Sequence, residues 1–210
     1  MGDLAKEIDG KKTVLVTGFG PFKSHEVNAS WVAVRELSKM GLDREDCNLV
    51  VREIPVTYHA VKNEVPRLWQ QLRPHLVVHV GVSSIAQDLT LEQLAHNDGY
   101  VKVDAAGKLN HCSYCCKNGP PNITSELRMD LVCHSVNQSE CGVIAVLSTD
   151  PGRYLCDFIY YTSLHQDKSK VAFIHVPPLN SPYTAEELAV GIQKAIHAML
   201  EQLDNNHRQI

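Results

Sequence analysis

No apolar stretch of this 210-residue chain is long enough to cross a bilayer, which takes about 20 residues. No basic run is present either, and the formal charge is mixed, summing to only -4. A membrane or nucleic-acid partner is therefore not expected. The first residues, MGDLAKEIDGKK, are polar and lack the apolar core of a secretion signal. Lys6 stands where an N-myristoylation signal needs Ser or Thr, so acylation is not expected. Seven cysteines without a secretion signal point to a reducing cytosol, and an odd count leaves at least one thiol free. No phosphate loop is complete. Gly18-Phe19-Gly20 has no following Lys-Ser/Thr, and the dinucleotide pattern lacks its last glycine, so no nucleotide cofactor is expected. No internal repeat or linker divides the chain. The length suits one domain, residues 1–210, with a core that needs no covalent staples, loose termini at 1–11 and 205–210, and an irregular loop at 98–124.

What is present is a regular alternation of apolar runs and amphipathic stretches. Strands are predicted at Thr13–Val16, Asn48–Val56, Leu76–Val82, Val143–Leu147 and Val171–Val176. Helices are predicted from Ala29 to about Met40, capped by Asn28, and from Tyr58 to Leu72, with Pro66 as a kink or a later start. Further helices are expected from Ser125 to about Val136, with Leu127, Leu131 and Val132 inward, and from Thr184 to about Leu203. This order predicts a single three-layer α/β/α domain with a mostly parallel central sheet.

The chemistry gathers around Cys141–Tyr161. An apolar run that suits a buried strand ends in Ser148-Thr149-Asp150-Pro151-Gly152, where three residues are plausible helix N-caps. Cys156 would then lie near a helix N-terminus, where the macrodipole favours a thiolate. By itself such a cysteine reads more readily as a buried structural thiol. In a parallel sheet the carboxyl ends of the strands share one edge. That edge would collect Gly18–Phe22, Gly81–Ser84 leading to Glu92, Ser148–Cys156 and His175 with Pro177 and Pro178. A thiol needs a base such as His175, and the imidazole needs a carboxylate such as Glu92 to fix its tautomer. Amides of the turn before Cys156 would supply an oxyanion hole. His79, inside a strand, reads as a satisfied core histidine. Cys112 and Cys115 have the spacing of a zinc knuckle, but no second Cys-x-x-Cys completes it. With Cys116 they are expected on a mobile loop of reactive thiols, and no metal site is assigned.

The stretches VTGFGPF (16–22), VNASW (27–31), VVHVGVS (77–83), TLEQLAHNDGY (90–100), GRYLCDFIYYTSL (152–164) and FIHVPPL (173–179) resemble the pyroglutamyl peptidase I family of cysteine peptidases in its animal form. They keep the family's order over nearly the whole chain. The resemblance implies a Cys-His-Glu triad at Cys156, His175 and Glu92. It implies a pyroglutamyl ring pocket at Phe19, Phe22, Asn28 and Tyr154, and substrates that are small peptides with an N-terminal pyroglutamate. A neutral lactam suits a pocket of aromatic faces with few polar groups. Three positions depart from the family. Lys23 and Ser84 stand at usual glycine sites and would narrow the pocket mouth, and Pro151 removes an amide near the nucleophile. A non-catalytic module that captures pyroglutamyl N-termini is the rival reading.

Overall fold

A computed structural model describes residues 10–22 and 27–207. Lys23 therefore lies outside the described residues, as does most of the expected loose N-terminus. The first strand, β1 (Lys12–Phe19), leads through the Gly20–Phe22 loop to α1 (Ala29–Met40). Asn28 caps that helix as expected, its side chain accepting from the Ser30 amide at 3.1 Å. β2 (Cys47–Ile54) and α2 (Tyr58–Leu72) follow, and Pro66 sits inside α2 without ending it. Next come β3 (Leu76–Val82), β4 (Leu89–Glu92), β5 (Leu94–His96) and β6 (Asn122–Thr124). The chain closes with α3 (Met129–Gln138), β7 (Ala145–Ser148), α4 (Leu155–Leu164), β8 (Val171–Val176) and α5 (Ala185–His207).

Six strands form one sheet in the order β2-β1-β3-β8-β4-β7, and β5 pairs with β6 outside it. Alternate residues of each strand face opposite layers. Val14, Val16, Val78, Val80 and Ile174 pack with α1, α3 and α5, whereas Leu15, Val77 and Phe173 pack with α2 and α4. The three-layer architecture is as expected, but the strand directions are not uniform. β4 pairs antiparallel with β8 and parallel with β7, so β4 and β7 run against the other four strands. Their carboxyl ends point to the opposite edge, so the expected shared edge holds for β1, β2, β3 and β8, with Gly18–Phe22, Gly81–Ser84 and His175, and fails for Glu92 on β4 and Ser148 on β7.

Other differences are local. The stretch 89–97 forms two short strands. Ser125 does not start α3. It spans the Leu127 amide and the Val171 carbonyl, at 3.2 and 2.7 Å. Leu131 is exposed, because the helix begins only at Met129 and turns that position outward. β7 is an edge strand, so Val146 and Leu147 are exposed and the expected buried strand is covered only in part. None of Ser148, Thr149 and Asp150 caps α4; Tyr154 does, in extended backbone. α5 continues through residues 205–207, which the sequence reading leaves in a loose tail.

His79 is the satisfied core histidine that its place in a strand suggests. Its Nδ1 lies 2.7 Å from Thr17 Oγ1 on β1, and its Nε2 lies 2.7 Å from Ser163 Oγ on α4. Burial lowers its pKa to about 3, so the ring is neutral. Trp69 on α2 donates to the same Ser163 oxygen at 3.1 Å. One hydroxyl thus joins α2, α4 and the sheet. Ser163→Ala leaves both His79 Nε2 and Trp69 Nε1 unsatisfied, at about 1–3 kcal/mol each. Tm should fall by at least about 4 °C in a chain of this size. An unchanged melting curve would show that the network contributes nothing.

Candidate active site

The antiparallel register of β4 on β8 builds the site. Glu92 pairs with Phe173 and Thr90 with His175, so Glu92 and His175 are diagonal neighbours on one sheet face. Across the other edge of β8, Gly81 pairs with His175. Glu92, Phe173, His175 and Gly81 therefore project toward the layer that holds α4. Glu92 Oε1 lies 2.9 Å from His175 Nδ1. Both residues are buried. A carboxylate can only accept, so Nδ1 carries the proton and Nε2 is left as the base. The other carboxylate oxygen, Oε2, is buried without a hydrogen-bond partner among the described residues. A half-satisfied buried carboxylate favours a positive ring beside it.

Cys156 occupies the second position of α4 and is half-buried. Burial opposes charging of His175. The Cys156 sulfur, as electrostatic and hydrogen-bond partner, and then Glu92 outweigh it, so the imidazole pKa is raised. The Phe173 ring meets the His175 ring edge-on at 4.8 Å. Gly81 leaves room for the sulfur: a Cβ there would sit 2.7 Å from Cys156 Sγ and 2.7 Å from the Phe173 ring. The three residues singled out in the sequence are thus brought together: parallel β3 and β8 set Gly81 beside His175 as the shared edge implies, and Glu92 arrives from antiparallel β4. The loop 149–154 carries the chain from the end of β7 back to Gly81.

Two amides of that loop are taken up within it. Asp150 N–H donates to Ser148 Oγ and Gly152 N–H to Asp150 Oδ1, each at 3.1 Å, and Pro151 has none. The first intrahelical bond of α4 runs from the Phe158 amide to the Tyr154 carbonyl. The amides of Leu155, Cys156 and Asp157 precede it and are the unpaired donors of a helix start. Pro151 therefore removes nothing from them. Ser84 is exposed with φ outside the left-handed region, so its side chain introduces no strain.

The expected pocket residues are placed as follows. Phe19 is buried, and Phe22 and Tyr154 are half-buried, in the apolar cluster that also contains Cys156. Tyr154 packs edge-on against Tyr58, and its hydroxyl donates to the Val103 carbonyl at 3.2 Å. Asn28 is committed to backbone. Its Nδ2 donates to the Gly20 carbonyl at 3.0 Å, and its Oδ1 accepts from the Ser30 amide and hydroxyl. It braces the loop that carries Phe19 and Phe22. Gly18 is needed there because a Cβ would fall 2.8 Å from Trp31 Cα. The cysteines of the 98–124 loop point apart. Cys112 is exposed, Cys115 meets Thr162 Oγ1 at 3.2 Å, and Cys116 meets His165 Nε2 at 3.3 Å. Among the described residues no three His, Cys, Asp or Glu side chains are grouped to hold a metal ion. Sequence reasoning missed Asp157 and Tyr160, which tie α4 to the Glu92 segment. The one available signal was an acidic residue inside the apolar run Leu155–Tyr161.

Gly81→Ala should displace the thiol from the imidazole, and displacements near 1 Å cost about 100-fold in well-oriented reactions. Alkylation of Cys156 by iodoacetamide should slow by about 10- to 100-fold, while the chain still folds. An unchanged rate would place the sulfur elsewhere.

The profile of the pyroglutamyl peptidase family matches residues 12–203. The chain is 46% identical over 200 residues to the Homo sapiens protein pyroglutamyl-peptidase 1, covering 95% of each chain. It is 47% identical over 194 residues to the Mus musculus protein of the same name, covering 92% of each. Among solved structures, the pyrrolidone carboxyl peptidase of Thermococcus litoralis has a TM-score of 0.82 at 21% identity, covering 93% of this chain and 96% of that one. That structural likeness shows the fold, and the profile match and the mammalian identities over nearly the whole length show that the chain belongs to the pyroglutamyl peptidase family.

Proposed function

We propose that the protein is a cysteine exopeptidase that removes an N-terminal pyroglutamyl residue from small peptides, with Cys156, His175 and Glu92 as its triad. The observation that carries this reading is the 2.9 Å contact of His175 Nδ1 with buried Glu92, which leaves Nε2 for the thiol. Family membership supports the substrate class. The aromatic side chains of Phe19, Phe22 and Tyr154 suit the faces of the lactam ring, and Asn28 shapes the loop that bears the two phenylalanines.

The chemistry uses only groups of this chain. His175 Nε2 takes the Cys156 proton, and the sulfur attacks the pyroglutamyl carbonyl carbon. The oxygen gains a negative charge, which first-turn amides of α4 stabilise, at roughly 3 kcal/mol of barrier per donor. The tetrahedral species collapses: the C–N bond breaks while Nε2–H passes its proton to the leaving amine. Water then attacks the thioester with His175 as base, releasing pyroglutamate and restoring the thiol. Glu92 holds the ring tautomer and stabilises the imidazolium throughout. All seven cysteines are free, which suits the reducing cytosol where we place the protein.

The test is release of a fluorogenic amine from its pyroglutamyl amide, in reducing buffer with a chelator. Wild type should turn over, and Cys156→Ala should retain the fold but lose turnover. Binding without turnover by a folded wild type would make the protein a binding module instead. Glu92→Gln should lower kcat about 100-fold or more. It should also move the alkaline limb of kcat/KM to lower pH, because an imidazolium without its carboxylate gives up its proton sooner. An unmoved limb would remove Glu92 from the triad.

A further inference from the structure

Asp157 follows the nucleophile directly and is wholly buried, yet it takes no part in the reaction as described. Its Oδ1 accepts the His96 backbone N–H at 2.9 Å. Its Oδ2 lies 3.4 Å from His96 Nδ1 and 3.5 Å from Arg153 Nη1. Three residues further along α4, the buried Tyr160 hydroxyl donates to the Glu92 backbone carbonyl at 2.9 Å. Positions three apart share a helix face, so one face of α4 grips the segment Glu92–His96 at both its ends. That segment carries the carboxylate, and α4 carries the thiol. Tyr100 adds to the grip, its hydroxyl donating to the His96 carbonyl. Arg153 spans Asp157 and Asp150, bonding the latter at 2.7 Å, and its stem lies over Gly99.

We infer that Asp157 and Tyr160 are positioning residues that set the distance between the Cys156-bearing helix and the Glu92–His175 pair. The inference rests on the triad proposed above. It follows from a closed circuit of short links: Cys156 to Asp157 along the chain, Asp157 to the His96 amide, His96 back to Glu92, and Glu92 to His175. Without the Asp157 link the circuit opens, and the near end of α4 is held to the Glu92 segment by the Tyr160 hydrogen bond without a link at the residue next to the thiol. Because the His96 donor is a backbone amide, any side chain with an acceptor at the Oδ1 position preserves the link, and the negative charge is not required for it.

This separates positioning from bulk stabilisation. Asp157→Asn keeps an acceptor, whereas Asp157→Leu fills the same space without one. Three readouts are taken on chains shown to be folded by near-ultraviolet circular dichroism: kcat, KM for a pyroglutamyl amide, and the rate of Cys156 alkylation by iodoacetamide. The asparagine variant should stay within about 5-fold of wild type in kcat. The leucine variant should lose at least about 30-fold in kcat with KM within about 3-fold, and its alkylation should slow in parallel. Tyr160→Phe should lower kcat by about 3- to 10-fold at unchanged KM. The inference is overturned if leucine matches wild type, or if asparagine is as impaired as leucine. If the leucine variant does not fold, an unaltered kcat in Tyr160→Phe overturns it. Absence of turnover in the wild type refutes the peptidase reading instead, and the alkylation rates still report the geometry.

Discussion

The hydrogen bond between Glu92 and His175 depends on a reversal of strand direction. Were β4 parallel to β8, Glu92 would not face Phe173 with His175 as its diagonal neighbour. The antiparallel pairing places a carboxylate and an imidazole on one face, two residues apart in register, at a depth where both are buried. In that low-dielectric setting the carboxylate holds the imidazole proton on Nδ1 and favours the charged ring. The apolar wall of Phe173 and the bare backbone of Gly81 follow from the same face and register.

The helix that carries Cys156 is fixed by several independent contacts. Phe158 is buried against Tyr58 and Tyr100, with edge-on ring contacts at 5.0 and 4.9 Å. Such pairs add about 0.5–1.5 kcal/mol each beyond burial. Ser163 fixes the far end of the helix to His79 and Trp69. Asp157 and Tyr160 fix its near end to the segment that bears Glu92. A rigid helix start lets unpaired amides act on a developing oxyanion without reorganising.

Much of this was legible in the sequence. Apolar runs and capping residues located most strands and helices, and Asn28 capped α1 at the expected residue, because those signals are local. The quoted motifs pointed to Cys156, His175 and Glu92, and the structure brings the three together. Strand direction was not legible. A four-residue strand such as β4 carries no sequence mark of whether its neighbour is parallel, and the choice is made by packing across the sheet. The cap of α4 was missed because Tyr154 caps without a side-chain bond, while Ser148 and Asp150, better formal caps, accept from amides of their own turn. Asp157 was missed because its partner is a backbone amide 61 residues away, which has no signature in the sequence.

The account stands on Cys156 forming a covalent link to the substrate. An activated pyroglutamyl ester, mixed with the protein and quenched in acid during its first turnover, makes deacylation the slow step. Peptide mapping by mass spectrometry should then find the pyroglutamyl group on Cys156. An adduct on another residue, or a burst of leaving group with Cys156 unmodified, would contradict it.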